Sequence, residues 1–377
     1  MTKPYEIGSE IRLWSAFVPE ETGREVKKTL ISKWINTGKK EAELRQEFGR
    51  RFNIPYCVAT NSGTSSLRAS YAALGVGLGD EVISTPYTFI ATNTAILEQG
   101  AKPIFADINY ETLNIDPESI VKKITKKTKA IVCVHYGGNA CDMDAIRKIG
   151  RDYNLPIVED SAHAIGSKYK GDFIGAKGDI VTFSLQAIKI ITSGDGGMIA
   201  TPNEKYYKEI KKYVWFGVDR EDKITAPFDP MPEQIDILGF KYNMNDITAT
   251  IGLVGLKHLD EALARRKTIG EKYRQELAGC SKIKLIHIPA ENTPNFQIFP
   301  IHVQERARFA EFMRDNGIFI NVNNRRNDRY SIFGGLQKDL PNLERADEDT
   351  ILIPIHCDLT DADVEKIIDT IKKYDKQ

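Results

Sequence analysis

The chain has 377 residues, in which 52 Lys and Arg residues balance 52 Asp and Glu residues, so its formal net charge at pH 7 is zero. Proteins that capture nucleic acids need a basic excess to neutralise phosphates, and the balance argues against that class. With 41% apolar and 28% charged residues, the composition is typical of a globular protein, and the length predicts about two or three domains.

Neither a targeting segment nor a membrane segment is expected. Residues 1–12 carry four charged side chains and no apolar core, so they do not resemble a secretory signal. The longest apolar runs, at residues 130–134 and 350–355, are far shorter than the ~20 residues that cross a bilayer. We therefore expect a cytoplasmic protein.

The cysteines and histidines predict neither a disulfide framework nor a metal centre. The five cysteines are odd in number and form no C-x-x-C pair, and the six histidines are scattered along the chain. We therefore expect no bound metal.

Between residues 55 and 200, short runs rich in Val and Ile alternate with longer helical patterns. The predicted strands are residues 57–60, 81–84, 103–106, 130–135, 156–159 and 180–184. The predicted helices between them are residues 64–74, 90–99, 117–124 and 144–153. Six parallel strands in this span indicate a large α/β domain with helices on both faces of its sheet.

Beyond Gly197 the pattern changes. The sequence predicts a helix at 205–214, an irregular loop at 220–239 and one long helical region at 245–273, followed by strands at 283–288 and 296–303 and helices at 306–316 and 361–374. We therefore predict a large domain of residues 1–244 and a smaller α+β domain of residues 245–377.

A small-residue turn, NSGTSS at residues 61–66, runs into a predicted helix and contains Gly63, Thr64 and Ser65. The free N–H groups and the dipole of a helix N-terminus favour an anion, and hydroxyls add donors, so a phosphate would fit. Small residues also cap helices for structural reasons alone. The turn does not match the G-x-x-x-x-G-K-[ST] nucleotide loop.

A carboxylate and a lysine follow two other predicted strands. The segment VEDSAH at 158–163 ends a strand in Glu159 and Asp160, which face opposite ways, so only one of them can point at a given ligand. Lys189 lies between the apolar strand that ends at Ser184 and the Gly-rich turn at 193–197. A partly desolvated pocket would lower its pKa and make its amine a nucleophile. The structural alternatives are a capping Asp and a surface lysine beside a hairpin.

An aromatic segment, YTF at residues 87–89, follows the strand that ends near Ser84. One of its rings could stack on a flat heteroaromatic ligand, although such residues are more often core. The four features together supply a phosphate cradle, a stacking face, a carboxylate and a nucleophilic amine. Pyridoxal phosphate needs all four, so the combination is far more specific than any one of them.

These segments occur in an order that resembles the sugar aminotransferases of the DegT/DnrJ/EryC1/StrS family, which are fold-type I pyridoxal-phosphate enzymes. The resemblance covers nearly the whole chain, in these segments: 34–38, 62–67, 88–92, 134–137, 159–163, 183–189, 194–197, 238–243 and 354–360. It implies an α/β fold with a mostly parallel, seven-stranded sheet flanked by helices, and a smaller C-terminal α+β domain.

The resemblance also implies a role for each matching residue. Lys189 would form the Schiff base with the cofactor and later move the proton, and Asp160 would pair with the pyridine nitrogen. The remaining contacts would come from Gly63, Thr64, Ser65 and Ser184 at the phosphate, Phe89 on the ring, and His163 near the phenolic oxygen. The family works as a homodimer in which an Asn of one subunit reaches the phosphate of the other. Here that residue would be Asn243, with Lys241 as the alternative.

Many members read N-Y-R where this chain has Lys241, Tyr242 and Asn243, which leaves open which residue crosses the interface. Two further segments depart from the family pattern, at residues 215–220 and 321–330. Many members carry R-x-H-G at the first and a V-H-Y-P-P-like sequence at the second, so the substrate cannot be copied from them. Arg325, Arg326 and Arg329 of the second segment could reach a diphosphate or a carboxylate, and a solvated loop is the alternative.

The function that the resemblance implies is transfer of an amino group from L-glutamate to a keto sugar, with a nucleotide-linked 4-keto-6-deoxyhexose as the leading substrate. The products would enter surface polysaccharide or lipopolysaccharide biosynthesis. A 3-keto sugar, or an acidic keto sugar such as a keto derivative of Kdo, is the alternative substrate. A sugar dehydratase would carry His in place of Lys189, and a sensor without activity would have lost Lys189, Asp160 or the phosphate turn.

Overall fold

The computed structural model describes residues 11–219, 234–322 and 324–377. Residues 1–10 lie outside the described residues, and with them most of the N-terminal segment in which no signal is expected. Most of the loop expected at 220–239 also lies outside them. Arg220 and Asn323, from the two departing segments, also lie outside them.

The described residues form twelve α-helices. Their bounds are α1 Thr22–Ile31, α2 Lys39–Phe52, α3 Gly63–Ala73, α4 Ala91–Leu97, α5 Pro117–Lys123, α6 Met143–Tyr153, α7 Glu204–Val214, α8 Asp246–Lys257, α9 Leu259–Leu277, α10 Arg306–Asp315, α11 Pro341–Asp349 and α12 Asp361–Asp375. None of the helices in this described part combines the length and apolar composition needed to span a membrane.

The strands form one large sheet and two small ones. Their bounds are β1 Tyr56–Thr60, β2 Glu81–Ser84, β3 Lys102–Phe105, β4 Thr128–Val134, β5 Ile157–Asp160, β6 Lys168–Tyr169, β7 Asp172–Phe173, β8 Ile180–Ser184, β9 Gly197–Thr201, β10 Ile283–Leu285, β11 Asn292–Thr293, β12 Phe299–Val303 and β13 Thr350–Ile353.

The large sheet has seven strands in the order β1-β9-β8-β5-β4-β2-β3. The six strands predicted from the sequence all run in the same direction. Strand β9 runs against them and lies between β1 and β8, with which it pairs antiparallel. The prediction of a mostly parallel, seven-stranded sheet flanked by helices is therefore confirmed. Strand β9 itself was not among the strands predicted from the pattern.

The apolar strands of this sheet are buried on both faces. On β4, Ile131 and Cys133 belong to one core, whereas Ala130 and Val132 belong to the core on the opposite face. The period of two in a strand produces this division, and a sheet covered on both faces needs near-continuous apolar runs. Because of the same period, Glu159 and Asp160 at the end of β5 point to opposite faces of the sheet.

The second half of the chain builds a three-stranded antiparallel sheet in the order β10-β12-β13. Helices α9 and α12 pack together, and both contribute to the apolar core of this sheet. Helix α8 instead packs against α1 and α2, and its Ala249 and Leu256 belong to the core of the large sheet. The division at residues 244 and 245 remains a prediction.

Three predicted boundaries in this half are wrong. The strand expected at 283–288 ends at Leu285, because its pairing with β12 stops there. The helical region at 245–273 is two helices, because His258 leaves the helical conformation with φ −97° and ψ 12°. The strand expected from residue 296 begins at Phe299, because Phe296 has a φ of 53°. A left-handed conformation is incompatible with a regular strand.

Segment 324–330 is held by a buried ion pair. The Arg326 guanidinium is fully buried, and its Nε and Nη2 each donate to a carboxylate oxygen of Asp328 at 2.7 Å. Arg329, by contrast, is about half exposed and pairs with Asp347 at 2.7 Å. Two of the three arginines proposed to reach a substrate therefore bind carboxylates of their own chain.

Replacing Arg326 with Met should lower the free energy of unfolding by about 3–5 kcal/mol, because the buried Asp328 carboxylate would lose its cation. The matched change Arg329→Met removes a half-exposed pair and should cost less than about 1 kcal/mol. Urea unfolding followed by circular dichroism measures both. Equal losses for the two variants would contradict the assignment of Arg326 as a structural cation.

Candidate active site

A cavity of about 430 Å³ opens at the carboxyl ends of β5 and β8. Of the nine residues predicted for the site, seven line it: Gly63, Thr64, Phe89, Asp160, His163, Ser184 and Lys189. The structure therefore brings together residues from all four of the sequence segments singled out for this site. Ser65 and Asn243 are not among the lining residues.

The N-terminus of α3 forms one wall of the cavity. Ser62 caps the helix in an extended conformation, and its Oγ accepts the backbone N–H of Ser65 at 3.0 Å. A Cβ on Gly63 would lie 3.0 Å from the Cβ of Ser184, so a larger residue would push the start of the helix and the end of β8 apart by a few tenths of an ångström. The first amides of a helix have no acceptor within it, and an anion can bind them.

The side chain of Ser65 stabilises this turn through contacts with Asn61 and Ser62. Its hydroxyl donates to Asn61 Oδ1 at 2.7 Å and lies 2.9 Å from Ser62 Oγ. Ser65 is almost fully buried. Its part in holding a phosphate remains a prediction.

Asp160 ends β5 with its carboxylate in the cavity. Thr92 Oγ1 donates to its Oδ2 at 2.7 Å, and the backbone N–H of Ala162 donates to its Oδ1 at 3.1 Å. Burial raises the pKa of Asp160, whereas these two hydrogen bonds oppose that rise by stabilising the ionised form. The Oγ1 atoms of Thr88 and Thr92 are 2.9 Å apart, so the two buried hydroxyls are hydrogen-bonded to each other.

His163 lines the cavity in surroundings that favour its neutral form. Burial holds its pKa well below the ordinary range, and the nearby Lys189 charge acts in the same direction. The backbone N–H of Gly137 donates to its Nδ1 at 3.4 Å, an arrangement that favours the tautomer with the proton on Nε2. His163 can therefore donate one hydrogen bond from Nε2.

Lys189 belongs to the irregular loop between β8 and β9. Burial lowers the pKa of its amine to about 8, and the Asp160 carboxylate opposes this change by favouring the ammonium form. A lysine of this kind supplies a neutral amine near neutral pH. The structural alternative for Lys189, an ordinary surface lysine, does not describe this environment.

Phe89 stands at the cavity with 62% of its surface exposed, while Tyr87 of the same segment is buried. Phe89 is therefore not a core residue, and a flat ring could stack on it.

The sequence interpretation missed several lining residues, among them Trp14, Thr92, Gln186 and Asn324. Thr92 could have been found, because it lies in the first turn of the helix that directly follows the segment of Phe89. Trp14 and Asn324 come from distant parts of the chain, and no local pattern marks them.

Asn243 lies in a separate groove with Thr37 and Trp215. Its backbone forms an antiparallel bridge with Thr60, and its Nδ2 donates to Thr37 Oγ1. Its Oδ1 is buried and has no hydrogen-bond partner among the described residues. The alternative residue, Lys241, places its Nζ 4.7 Å from the centre of the Trp215 ring.

Comparisons with known proteins agree with this geometry. The sequence model of the DegT/DnrJ/EryC1/StrS aminotransferase family matches residues 18–372. The uncharacterised protein MJ1066 of Methanocaldococcus jannaschii is 37% identical over 367 residues, which cover 94% of this chain and 95% of that protein.

Solved structures give the same result. Sugar aminotransferase CalS13 from Micromonospora echinospora has a TM-score of 0.90 and 32% identity, with 96% of this chain and 99% of that chain covered. Spr1654 from Streptococcus pneumoniae, in its PMP form, has a TM-score of 0.91 and 30% identity, with 97% and 99% covered. The PLP form of Spr1654 also matches, with a TM-score of 0.89.

The fold, the cavity and these relatives define a pyridoxal-phosphate-dependent enzyme of fold type I. The chain belongs to the DegT/DnrJ/EryC1/StrS family and is a sugar aminotransferase.

In protein freed of cofactor, Lys189 should react with an acylating reagent with a pH midpoint near 8, because only the neutral amine is a nucleophile. An ordinary lysine would show a midpoint near 10.5. Asp160→Asn should lower the midpoint further, since the carboxylate favours the ammonium form. Competitive labelling with peptide mass spectrometry measures both. A midpoint near 10.5, or an upward shift in Asp160→Asn, would contradict the assignment.

Proposed function

We propose that this aminotransferase moves an amino group from L-glutamate to the keto carbon of an activated sugar, with a nucleotide-linked 4-keto-6-deoxyhexose as the leading substrate. The enzyme would act in the cytoplasm, and its product would serve surface polysaccharide or lipopolysaccharide biosynthesis. The observation that carries the reaction type is the convergence of Lys189, Asp160 and the α3 N-terminus on one cavity.

The residues of the cavity fit pyridoxal phosphate. The N-terminus of α3, where Gly63 permits close approach, would hold the phosphate together with Thr64, Ser65 and Ser184. Phe89 would pack on the ring. When bound, the cofactor supplies the electron-withdrawing ring that stabilises negative charge at the carbon that exchanges its amino group.

The side chains around the ring would control protons. Asp160, whose ionised form accepts hydrogen bonds from Thr92 and Ala162, would hold a proton at the pyridine nitrogen. His163 would donate its Nε2 proton to the phenolic oxygen. Lys189 would bond to the cofactor through Nζ until the amino group of the donor displaces it. The amine released in this way would then move a proton between the carbon that bears the amino group and the cofactor.

Two competing functions lack support in these residues. The dehydratase branch of the family would carry His at position 189, where this chain has Lys. A sensor that had lost activity would be damaged at Lys189, Asp160 or the phosphate turn, and all three are intact and line one cavity.

Lys189→Ala should abolish the lysine-linked visible band of the purified protein with pyridoxal phosphate and should lower kcat by at least about 10²–10⁴-fold, because a general base is lost. The exposed Lys177, changed to Ala, is the matched control and should behave as wild type. Borohydride trapping followed by peptide mapping identifies the bonded lysine. A trappable band that survives in Lys189→Ala would overturn the central assignment.

A screen of keto sugars with L-glutamate as the donor decides the substrate. Turnover of nucleotide-linked 4-keto-6-deoxyhexoses supports the leading proposal. Turnover of only 3-keto or acidic keto sugars would replace it with one of the alternatives. Complete inactivity across all of these sugars would favour the sensor.

We also propose a homodimer whose active sites lie at the interface. Three apolar residues that are close in sequence to Thr37 and Asn243 of this groove are exposed in the single chain: Trp34 at 62%, Leu238 at 76% and Phe240 at 42%. The buried Oδ1 of Asn243, which has no hydrogen-bond partner in the described part of the chain, is a second sign that this surface is incomplete. A second copy of the chain would cover the apolar residues and bring Asn243 to the partner's phosphate site.

Mixing inactive Lys189→Ala and Asn243→Ala proteins after mild dissociation should restore about one quarter of the wild-type activity. Half of the randomly paired dimers are hybrids, and each hybrid contains one intact site if Asn243 acts across the interface. Sedimentation confirms the dimer. If Asn243 acts within its own chain, the mixture stays inactive, and the same experiment with Lys241→Ala tests the alternative.

A further inference from the structure

One buried side chain binds both peptide groups that flank Lys189. Gln297 is 2% exposed, and its Nε2 donates to the carbonyl of Ile188 at 2.8 Å. Its Oε1 accepts the backbone N–H of Ile190 at 2.9 Å. The amide of Gln297 therefore completes hydrogen bonds before and after Lys189, much as a neighbouring strand would.

The loop that carries Lys189 needs such support. Residues 185–196 form neither helix nor strand. Within the loop, the backbone N–H of Lys189 donates to the carbonyl of Gln186 at 2.9 Å, and the side-chain Oε1 of Gln186 accepts the N–H of Ile188 at 3.1 Å. These local bonds turn the chain, while the bonds from Gln297 tie it to another part of the molecule.

The backbone N–H and the backbone carbonyl of Gln297 are both hydrogen-bonded to buried side chains. Its backbone N–H donates to Asn295 Oδ1 at 2.9 Å. Its carbonyl accepts a hydrogen bond at 3.0 Å from Nη1 of Arg266, a buried residue that also binds the carbonyls of Phe296 and Ile355 at 3.0 Å. The Gln297 amide is thus a fixed group, and fixed supporting groups are what a catalytic side chain requires.

The preceding residue shows that the chain adopts an uncommon conformation here. Phe296 has a φ of 53°, which is rare for a bulky residue, and its ring packs against Gly270, where a Cβ would lie 2.7 Å from the ring. Such backbone conformations persist only where the surroundings hold them, and they are found at functional sites more often than elsewhere.

We propose that Gln297 is a positioning residue for the aminotransferase reaction. Its side-chain amide fixes the backbone of Lys189, and through it the reach of Nζ into the cavity. The inference rests on the proposed role of Lys189. The amide is specific, because it donates to one peptide and accepts from the other, which neither an apolar side chain nor an ionised carboxylate can do.

The test uses the holoenzyme with Gln297→Ala, Gln297→Glu and the control Asn292→Ala. Asn292 is also a buried amide that binds backbone, since it donates to the carbonyl of Ala140 at 2.8 Å, but it does not contact the Lys189 loop. Hydrogen exchange of the Ile190 amide reports the contact directly. The pH midpoint of the lysine-linked visible band and kcat report its consequence.

In Gln297→Ala, exchange at Ile190 should accelerate at least about tenfold, because the acceptor is lost. The band midpoint should shift, and kcat should fall by about 10²-fold while the KM for glutamate changes less than about twofold, as expected for a misplaced group. The control should show none of these changes. In Gln297→Glu, activity relative to wild type should rise as the pH is lowered, because a protonated carboxyl can again donate to Ile188.

Unchanged exchange at Ile190, or faster exchange with an unaltered band midpoint and kcat, overturns the proposal. If Gln297→Ala does not fold, the Glu variant decides, and a flat activity ratio across pH overturns it. Failure of the proposed function gives a different result: wild-type protein would then lack the lysine-linked band, whereas Ile190 exchange would still respond to Gln297.

Discussion

The site depends on the burial of two opposite charges in one cavity. Desolvation moves both groups toward their neutral forms, since it lowers the pKa of Lys189 and raises that of Asp160. The charge of each group acts against the pKa shift of the other: the ammonium lowers the pKa of Asp160, and the carboxylate raises the pKa of Lys189. Thr92 and the backbone of Ala162 add hydrogen bonds to the carboxylate alone. These hydrogen bonds offset part of the rise in the pKa of Asp160, beside a lysine whose pKa burial has lowered to about 8.

Side chains alternate along β5, so the neighbouring carboxylates of Glu159 and Asp160 have different roles. Asp160 points into the cavity, whereas Glu159 points through the opposite face and lies 3.0 Å from His135 and 3.2 Å from Arg147. A carboxylate this deeply buried needs cationic or hydrogen-bonding partners. Glu159 therefore belongs to the packing of the sheet, and a shift of one residue in strand register would exchange the two roles.

Much of the fold and of the site could be predicted from the sequence because the signals are local. Short apolar segments mark the buried strands, which are four to seven residues long. The turn at residues 61–66, the strand end at Asp160 and the loop around Lys189 each follow such a segment. Strand β9 could not be recognised from its pattern, because its Gly-rich start is equally typical of a loop. The break at His258 also escaped prediction, since apolar residues keep helical spacing on both sides of it.

What the sequence could not indicate are contacts between distant segments. Asn327 donates from Nδ2 to the carbonyl of Thr88 at 2.9 Å and accepts from Asn93 at 2.7 Å, so a loop of the second half holds the segment that presents Phe89. Gln297 holds the loop of Lys189 from the same half of the chain. Amide side chains suit this work, because one group can donate and accept at once without bringing a charge into the interior. The large sheet therefore supplies the chemical groups, and the second half of the chain determines how rigidly two of them are presented.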